Sequence, residues 1–288
     1  MGFVSLLVVL ALVQWWGSGG PLHRDAWYLG LIERVHRLTA GPVLRLFLLV
    51  GLPVFVLLAL CLALLYGLSA KWIIVINVPV LLFALGRGRL DVLVQNYRAA
   101  WLDQANVSAC EAVNALRLDG ELSCQTDGEW QGVHAEAFQA ISYRGFERMF
   151  VVLFWFAVLG APGALLYRLA AIYARQPVTA ESPLSQRLLW ILEWPAARVY
   201  YLSVAMVGNF VACAERWRVL GLCMASPTPM VIEAFNRGAL GLDGALVREI
   251  SPGDTEALRE IDNLVGLMSR ALVLWVCAAA LIALLLGG

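Results

Sequence analysis

The amino-acid sequence predicts an all-α, polytopic integral membrane protein, with about 4–6 membrane helices and helical cytoplasmic segments between them. Three observations carry that prediction. The 288 residues are 61% hydrophobic and 15% charged, whereas a soluble domain carries about 25% charged residues. The apolar residues are bunched into stretches near Val4–Trp16, Leu44–Leu68, Trp72–Leu85, Met149–Ala174, Ala196–Ala214 and Leu267–Leu286, which approach or reach the ~20 residues a helix needs to cross hydrocarbon. The polar segments between them show helical spacing and no strand-like alternation.

The elements follow in chain order. No Lys or Arg precedes the first stretch, so it lacks the basic region of a secretory signal and is expected to be a retained, short N-terminal helix. It heads a first block, 1–86, with two more membrane helices and an interhelical amphipathic segment. Block 87–148 has room for three helices: Leu90, Val94 and Tyr97 recur at helical spacing, Ser108–Glu111 has the form of a capping box, and Trp130, Val133, Ala137 and Ile141 repeat the pattern. Gly120 and the Ser123–Gly128 stretch, with Asp127 as an N-cap, mark the break before the last of these.

Block 149–214 holds the central membrane helices. Gly160-Ala161-Pro162-Gly163 is able to break or sharply bend the first of them. Leu184, Leu188, Ile191 and Leu192 align along one side of a segment flanked by Trp190 and Trp194, which reads as an interfacial helix near 184–194. Block 215–266 is a second polar segment, with a helix near Thr228–Arg237 and a turn-like Gly238–Gly244 region. Pro252-Gly253 then precedes Asp254 or Thr255 as the cap of a helix that flows into the C-terminal membrane helix of block 267–288.

Net charge is zero, so there is no basic footprint for nucleic acid. Most of the 21 basic residues fall in or beside segments 17–43, 86–148 and 215–266. Close pairs such as Arg87/Arg89 and Arg216/Arg218 place those segments on the cytoplasmic side. Cys61, Cys110, Cys124, Cys213, Cys223 and Cys277 form no CxxC pair and are expected as buried free thiols. His23, His36 and His134 are far apart, with no metal-binding spacing, and each is expected at a surface or boundary. Neither Gly17–Gly20 nor Gly86–Arg89 has the ending of a phosphate-binding P-loop. No catalytic arrangement, metal set or cofactor is legible.

Polar side chains inside apolar stretches need partners, because lipid offers no hydrogen bonds. Asn77, Arg168 and Asn209 stand out. Asn77 precedes Val78-Pro79, where the proline leaves a carbonyl without its helical donor; local satisfaction and ligand binding both fit. Arg168 either meets an anionic ligand or snorkels to the headgroups. Asn209, beside Gly208, suits an interhelical hydrogen bond or a ligand contact.

The strings MGFVSLLVVLALVQWW, ERMFVVLFWFAVLGAPGALLYRL and LLWILEWPAARVYYLSVAMVGNFVACAERW resemble the corresponding parts of AmpE proteins. That resemblance implies a multi-pass protein of the bacterial inner membrane, regulatory or sensory, linked to β-lactamase induction and cell-wall recycling. AmpE is in turn similar to the CobD/CbiB membrane proteins, which join an aminopropanol-type amine to the corrin ring. Leu153-Phe154-Trp155 and the stretch from Gly160 to Arg168 resemble that family's LFY and G-x-PGALAYR strings. Just before them the synthase family carries E-S-x-x-E-N-x-x-D-G, whereas Ala140–Arg148 retains only Glu147. The resemblance therefore implies a non-enzymatic regulator, with an amide-forming enzyme or a transporter as the alternatives. The implied partners are the lipid bilayer, a cell-wall-derived or other small ligand, and a second copy of the chain. A ligand is expected among Asn77, Trp155, Arg168 and Asn209, with Glu147 as a further candidate.

Overall fold

The computed structural model describes residues 5, 8–9, 26–38, 41–67, 72–85, 90–117, 124, 129–176, 182–221, 226–242 and 251–287. Most of Val4–Trp16, the Gly17–Gly20 and Gly86–Arg89 strings, His23, Gly120, Asp127 and Cys223 lie outside the described residues. Among the described residues every regular element is helical. In chain order these are α1 (Ala26–Leu38), α2 (Pro42–Leu46), a π-helical turn (Phe47–Gly51), α3 (Leu52–Gly67), α4 (Trp72–Ala84), α5 (Leu90–Leu102), α6 (Asn106–Leu116) and α7 (Trp130–Gly145). A second π-helical segment (Phe146–Val151), α8 (Val152–Leu159), α9 (Ala161–Ala174), α10 (Pro183–Val207), α11 (Phe210–Leu220), α12 (Thr228–Leu240) and α13 (Thr255–Gly287) follow.

Among the described residues two helices are long and apolar enough to cross a membrane: the run Pro42–Leu64, of 23 residues, and Thr255–Leu285 within α13, of 31. That is fewer than the six apolar stretches suggest, and the backbone gives the reason. The stretch 149–174 is cut at Gly160, whose φ of 70° and ψ of −155° end α8 and admit α9. The stretch 196–214 is cut at Gly208 and Asn209, where α10 ends and Asn209 caps α11 by accepting from the Ala212 N–H at 3.2 Å. The stretch at 72–85 forms a helix of 13 residues. The helix expected near 184–194 is not separate either. It runs through Pro195 as the first half of α10, so it and the start of the fifth apolar stretch are one element of 25 residues.

One expected cap is absent and another is present. Ser108 lies inside α6, which begins at Asn106 with Ala105 before it, so the S-x-x-E string is not a capping box here. Asp254 does cap α13, accepting from the Glu256 N–H at 2.9 Å. The three helices expected in 88–147 are α5, α6 and α7, and the helix expected near Thr228–Arg237 extends to Leu240, closed by Gly241 in the left-handed conformation.

The chain forms two compact units. The first comprises residues 1–88, 148–193 and 279–288. In it α9 is the central helix, packed against α3, α4, α8 and the first π-helical turn. Small residues permit the approach: a Cβ on Gly163 would stand 2.3 Å from the Trp155 carbonyl oxygen, so only glycine lets α9 lie this close to α8. Tyr28 of α1 is fully buried, with its hydroxyl 3.1 Å from the Leu49 carbonyl oxygen and 3.4 Å from that of Leu169.

The second unit comprises 89–147 and 194–278. Here α5, α6 and α7 pack on one another, α7 packs on α12, and α12 on α11. Helix ends are closed by side chains. Arg144 donates from Nη1 to the Ala115 and Leu116 carbonyls at 2.7 and 3.0 Å, satisfying the last turn of α6. Arg198 donates to the Gly221 carbonyl at 2.9 Å and lies over the Trp194 ring at 4.3 Å. Cys110 of α6 and Cys124 form a disulfide, their Cα atoms 5.3 Å apart. This corrects the expectation of free thiols for that pair, whose members stand 14 residues apart in the sequence. Cys61 and Cys213 are buried and Cys277 is exposed, all three outside any disulfide.

Candidate functional site

The expected ligand residues divide between the units. Asn77, Trp155 and Arg168 lie in the first, and Glu147 and Asn209 in the second.

In the first unit, Asn77 sits on α4 two residues before Pro79, inside the helix, and is 5% exposed. Arg168 sits on α9, which packs against α4, and is 4% exposed. Its guanidinium is therefore held within the unit and is not laid along an outer surface. The neighbouring Tyr167 is fully buried and donates its hydroxyl to Glu193 Oε1 at 3.0 Å; that carboxylate is itself buried. Trp155 of α8 is anchored by its indole, which donates to the Leu192 carbonyl at 2.9 Å. A cation, a carboxylate, an amide and a phenol are thus buried in the same unit. Buried charges persist only with partners, and such a set has the chemistry to hold a polar ligand group with both signs of charge.

In the second unit, Glu147 is 4% exposed and lies in the π-helical segment. Asn209 has a structural role: its side chain caps α11, and its backbone N–H donates to the Ala239 carbonyl at 2.7 Å.

A constellation that the sequence does not announce lies in the second unit. His134, expected at a surface or boundary, is 2% exposed on α7. Its Nε2 is 3.2 Å from Glu260 Oε2 and its Nδ1 is 3.2 Å from the Tyr97 hydroxyl. A carboxylate can only accept, so Nε2 carries the proton toward Glu260, and in the neutral ring Nδ1 accepts from Tyr97. Trp101 packs on His134 at 5.5 Å between ring centroids and meets Trp130 edge-on at 5.1 Å, while its own indole donates to the Asp254 carbonyl. Burial, and then the Glu260 charge, push the Tyr97 phenol above its ordinary range. The correction has a physical reason: His134 lies between Val133 and Ala137 on the buried side of α7, and its partners come from 37 and 126 positions away in the chain.

Among the described residues no group of three or more His, Cys, Asp or Glu could hold a metal ion. No family model matches the chain, and no solved structure matches it significantly. Two curated proteins do. The chain is 30% identical over 172 residues to the cobalamin biosynthesis protein CobD of Chromobacterium violaceum, and 28% identical over 174 residues to CobD of Stutzerimonas stutzeri. These matches cover 54% and 55% of this chain and 55% and 56% of the relatives, so the chain spans about half the length of the curated relatives it matches. The chain is thus distantly related to CobD proteins over about half its length. The same matches lend nothing to the AmpE resemblance.

Proposed function

We propose that the chain is a multi-pass inner-membrane protein of cobalamin biosynthesis, joining a corrinoid carboxylate to an aminoalkanol-type amine as an amide. The likeness to two CobD proteins over about half the chain carries this reading, and the reaction is the one that the family resemblance implies. Condensing a carboxylate with an amine expels water and is uphill in water, so a nucleoside triphosphate must supply the leaving group. The side chains in the first unit suit the binding this demands: Arg168 and Asn77 address anionic and amide groups of the substrate, and Trp155 gives an apolar wall.

The test uses the full chain in detergent, incubated with a corrinoid acid, an aminopropanol-type amine and a nucleoside triphosphate. Mass spectrometry is expected to find the amide, with a raised KM in Arg168→Lys. Absence of amide from the folded wild-type chain with every nucleotide overturns the reading.

One observation favours a second reading, an AmpE-type regulator without enzymatic activity: Ala140–Arg148 has a single acid where the synthase family has an acidic and amide-rich string. No amide from the purified chain, together with altered β-lactamase induction when the chain is deleted, would put this reading first.

A further inference from the structure

Ser142 and Asn236, in the second unit, are 0% exposed, and Ser142 Oγ and Asn236 Nδ2 have no hydrogen-bond partner. Leaving such groups unpaired costs about 1–3 kcal/mol each, so two of them in one place ask for an occupant.

The packing puts them in one place. Phe138 and Ser142 of α7 and Phe146, the residue that follows it, succeed one another at four-residue spacing and form a single stripe, with the Phe146 N–H still bonded to the Ser142 carbonyl. At one end of the stripe Phe138 lies beneath the Arg237 guanidinium, 4.4 Å from ring centroid to Cζ. At the other, Phe146 meets Tyr200 at 5.3 Å, and the Tyr200 hydroxyl donates to Asn236 Oδ1 at 2.8 Å. Ser142, one turn from each phenylalanine, therefore faces the consecutive pair Asn236 and Arg237 on α12, the helix against which α7 packs.

The unused hydrogen-bonding capacity defines the ligand. Asn236 Oδ1 is engaged by Tyr200, which leaves the two hydrogens on Nδ2. Arg237 directs Nε to Glu233 Oε1 at 2.8 Å, and Gln139 occupies Glu233 Oε2 at 2.8 Å. Glu233 therefore holds Arg237 from one side only, and the two outer guanidinium nitrogens remain, on a residue that is 8% exposed. Ser142 adds a hydroxyl. What remains is almost wholly donors, including a planar guanidinium edge, and its complement is a planar group with two acceptor oxygens and no hydrogen of its own.

We propose that the second unit carries a binding site for a small carboxylate, formed by Ser142 of α7 and by Asn236 and Arg237 of α12, with Tyr200 of α10 orienting the Asn236 amide. This does not depend on the amide-forming reaction proposed above: the site can bind a carboxylate in a protein that makes no amide, and the reverse.

The experiment is a thermal-unfolding titration of the full chain in detergent with sodium propionate, against propionamide and sodium chloride at matched ionic strength. Propionate is expected to raise Tm in a saturable way, by about 3 °C at a tenfold excess over half-saturation, and the two controls are not. Asn236→Leu and Ser142→Ala are expected to lose the propionate response while keeping the helical circular dichroism of the parent. Arg237→Lys, which keeps the charge and removes the fork, is expected to weaken it about tenfold. A propionate response equal to that of chloride, or one that survives in both Asn236→Leu and Ser142→Ala, overturns the proposal. Should Asn236→Leu fail to fold, Ser142→Ala and the comparison of propionate with propionamide on the parent still decide it.

Discussion

Replacing Tyr97 by phenylalanine removes one oxygen from the interior of the second unit and leaves the ring where it is. The hydroxyl is the donor to His134 Nδ1 at 3.2 Å, and both residues are buried. Because Nε2 is committed to Glu260, the imidazole has no other tautomer that suits its surroundings, and Nδ1 is left as an unpaired buried acceptor. The net loss of such a bond together with the stranded atom amounts to about 2 kcal/mol. The packing contribution is unchanged, since the ring contact of Tyr97 with Trp101, at 5.7 Å, does not involve the oxygen. At about 2–4 °C per kcal/mol for a chain of this size, Tyr97→Phe is expected to melt about 4–8 °C below the parent. Tryptophan fluorescence is a suitable assay because Trp101 and Trp130 flank His134. Combining Tyr97→Phe with Glu260→Gln isolates the coupling across the imidazole, which is expected to be non-additive because both act on one ring. The same variant has a signature in pH. The Tyr97 phenol is raised above its ordinary value of 10.0, first by burial and then by the Glu260 charge. Its stabilising contribution is complete below pH 10 and is lost as pH climbs from there toward the folded value, because the unfolded chain releases the proton first. The parent therefore loses stability above pH 10 more steeply than Tyr97→Phe does. Burial raises Tyr28 as well, so part of the alkaline slope remains in the variant. A Tyr97→Phe protein that melts within about 1 °C of the parent, with an identical slope above pH 10, would refute the role assigned to the His134 chain.

Three further outcomes are expected. Gly163→Ala forces α9 away from the Trp155 carbonyl, which a Cβ would approach to 2.3 Å, with Leu159 Cβ at 2.7 Å; overpacking of this kind costs about 1–3 kcal/mol or more, read as a lowered denaturation midpoint. Asp254→Ala removes the acceptor for the Glu256 N–H and is expected to cost about 1 kcal/mol, with hydrogen exchange accelerated in the first turn of α13 and not in its apolar portion. Digestion of the non-reduced protein is expected to yield a peptide pair linked through Cys110 and Cys124, and reduction is expected to destabilise the second unit by about 3 kcal/mol, as suits a closed loop of this length.

The parts of the fold that were legible in the sequence are those set by neighbouring residues. Gly160-Ala161-Pro162-Gly163 announces a break because glycine takes a backbone conformation that other residues do not and proline suits a first helical turn, and both act within one turn of chain. Asp254 before Thr255 announces a cap for the same reason. What stayed hidden depends on distant partners. Nothing near Gly208 says that the Ala239 carbonyl lies where a Cβ would be, at 2.5 Å, so the apolar run 196–214 reads as one helix when it is two. Pro195 does not end α10, although a proline in mid-helix removes a hydrogen bond, because packing on both sides of it outweighs the local cost. His134, Tyr97 and Glu260 belong to three helices, and no spacing rule connects them. Asn77, Trp155 and Arg168 were legible as polar or amphipathic side chains in apolar stretches, whereas Ser142 and Asn236 are ordinary residues on polar helices, and only their lack of partners sets them apart.

At Gly160 the backbone takes φ 70° and ψ −155°. Changing both signs gives −70° and 155°, close to the extended polyproline conformation that L residues adopt freely. One link of the chain is thus built with the opposite handedness, and its tolerance of substitution is a question of chirality before it is one of size. An L-alanine introduced there meets strain at the backbone itself, even though its methyl would find no neighbour nearer than the Pro162 Cδ at 3.9 Å. A D-alanine placed there by chemical ligation would sit in a dihedral minimum of its own and would stiffen the junction of α8 with α9.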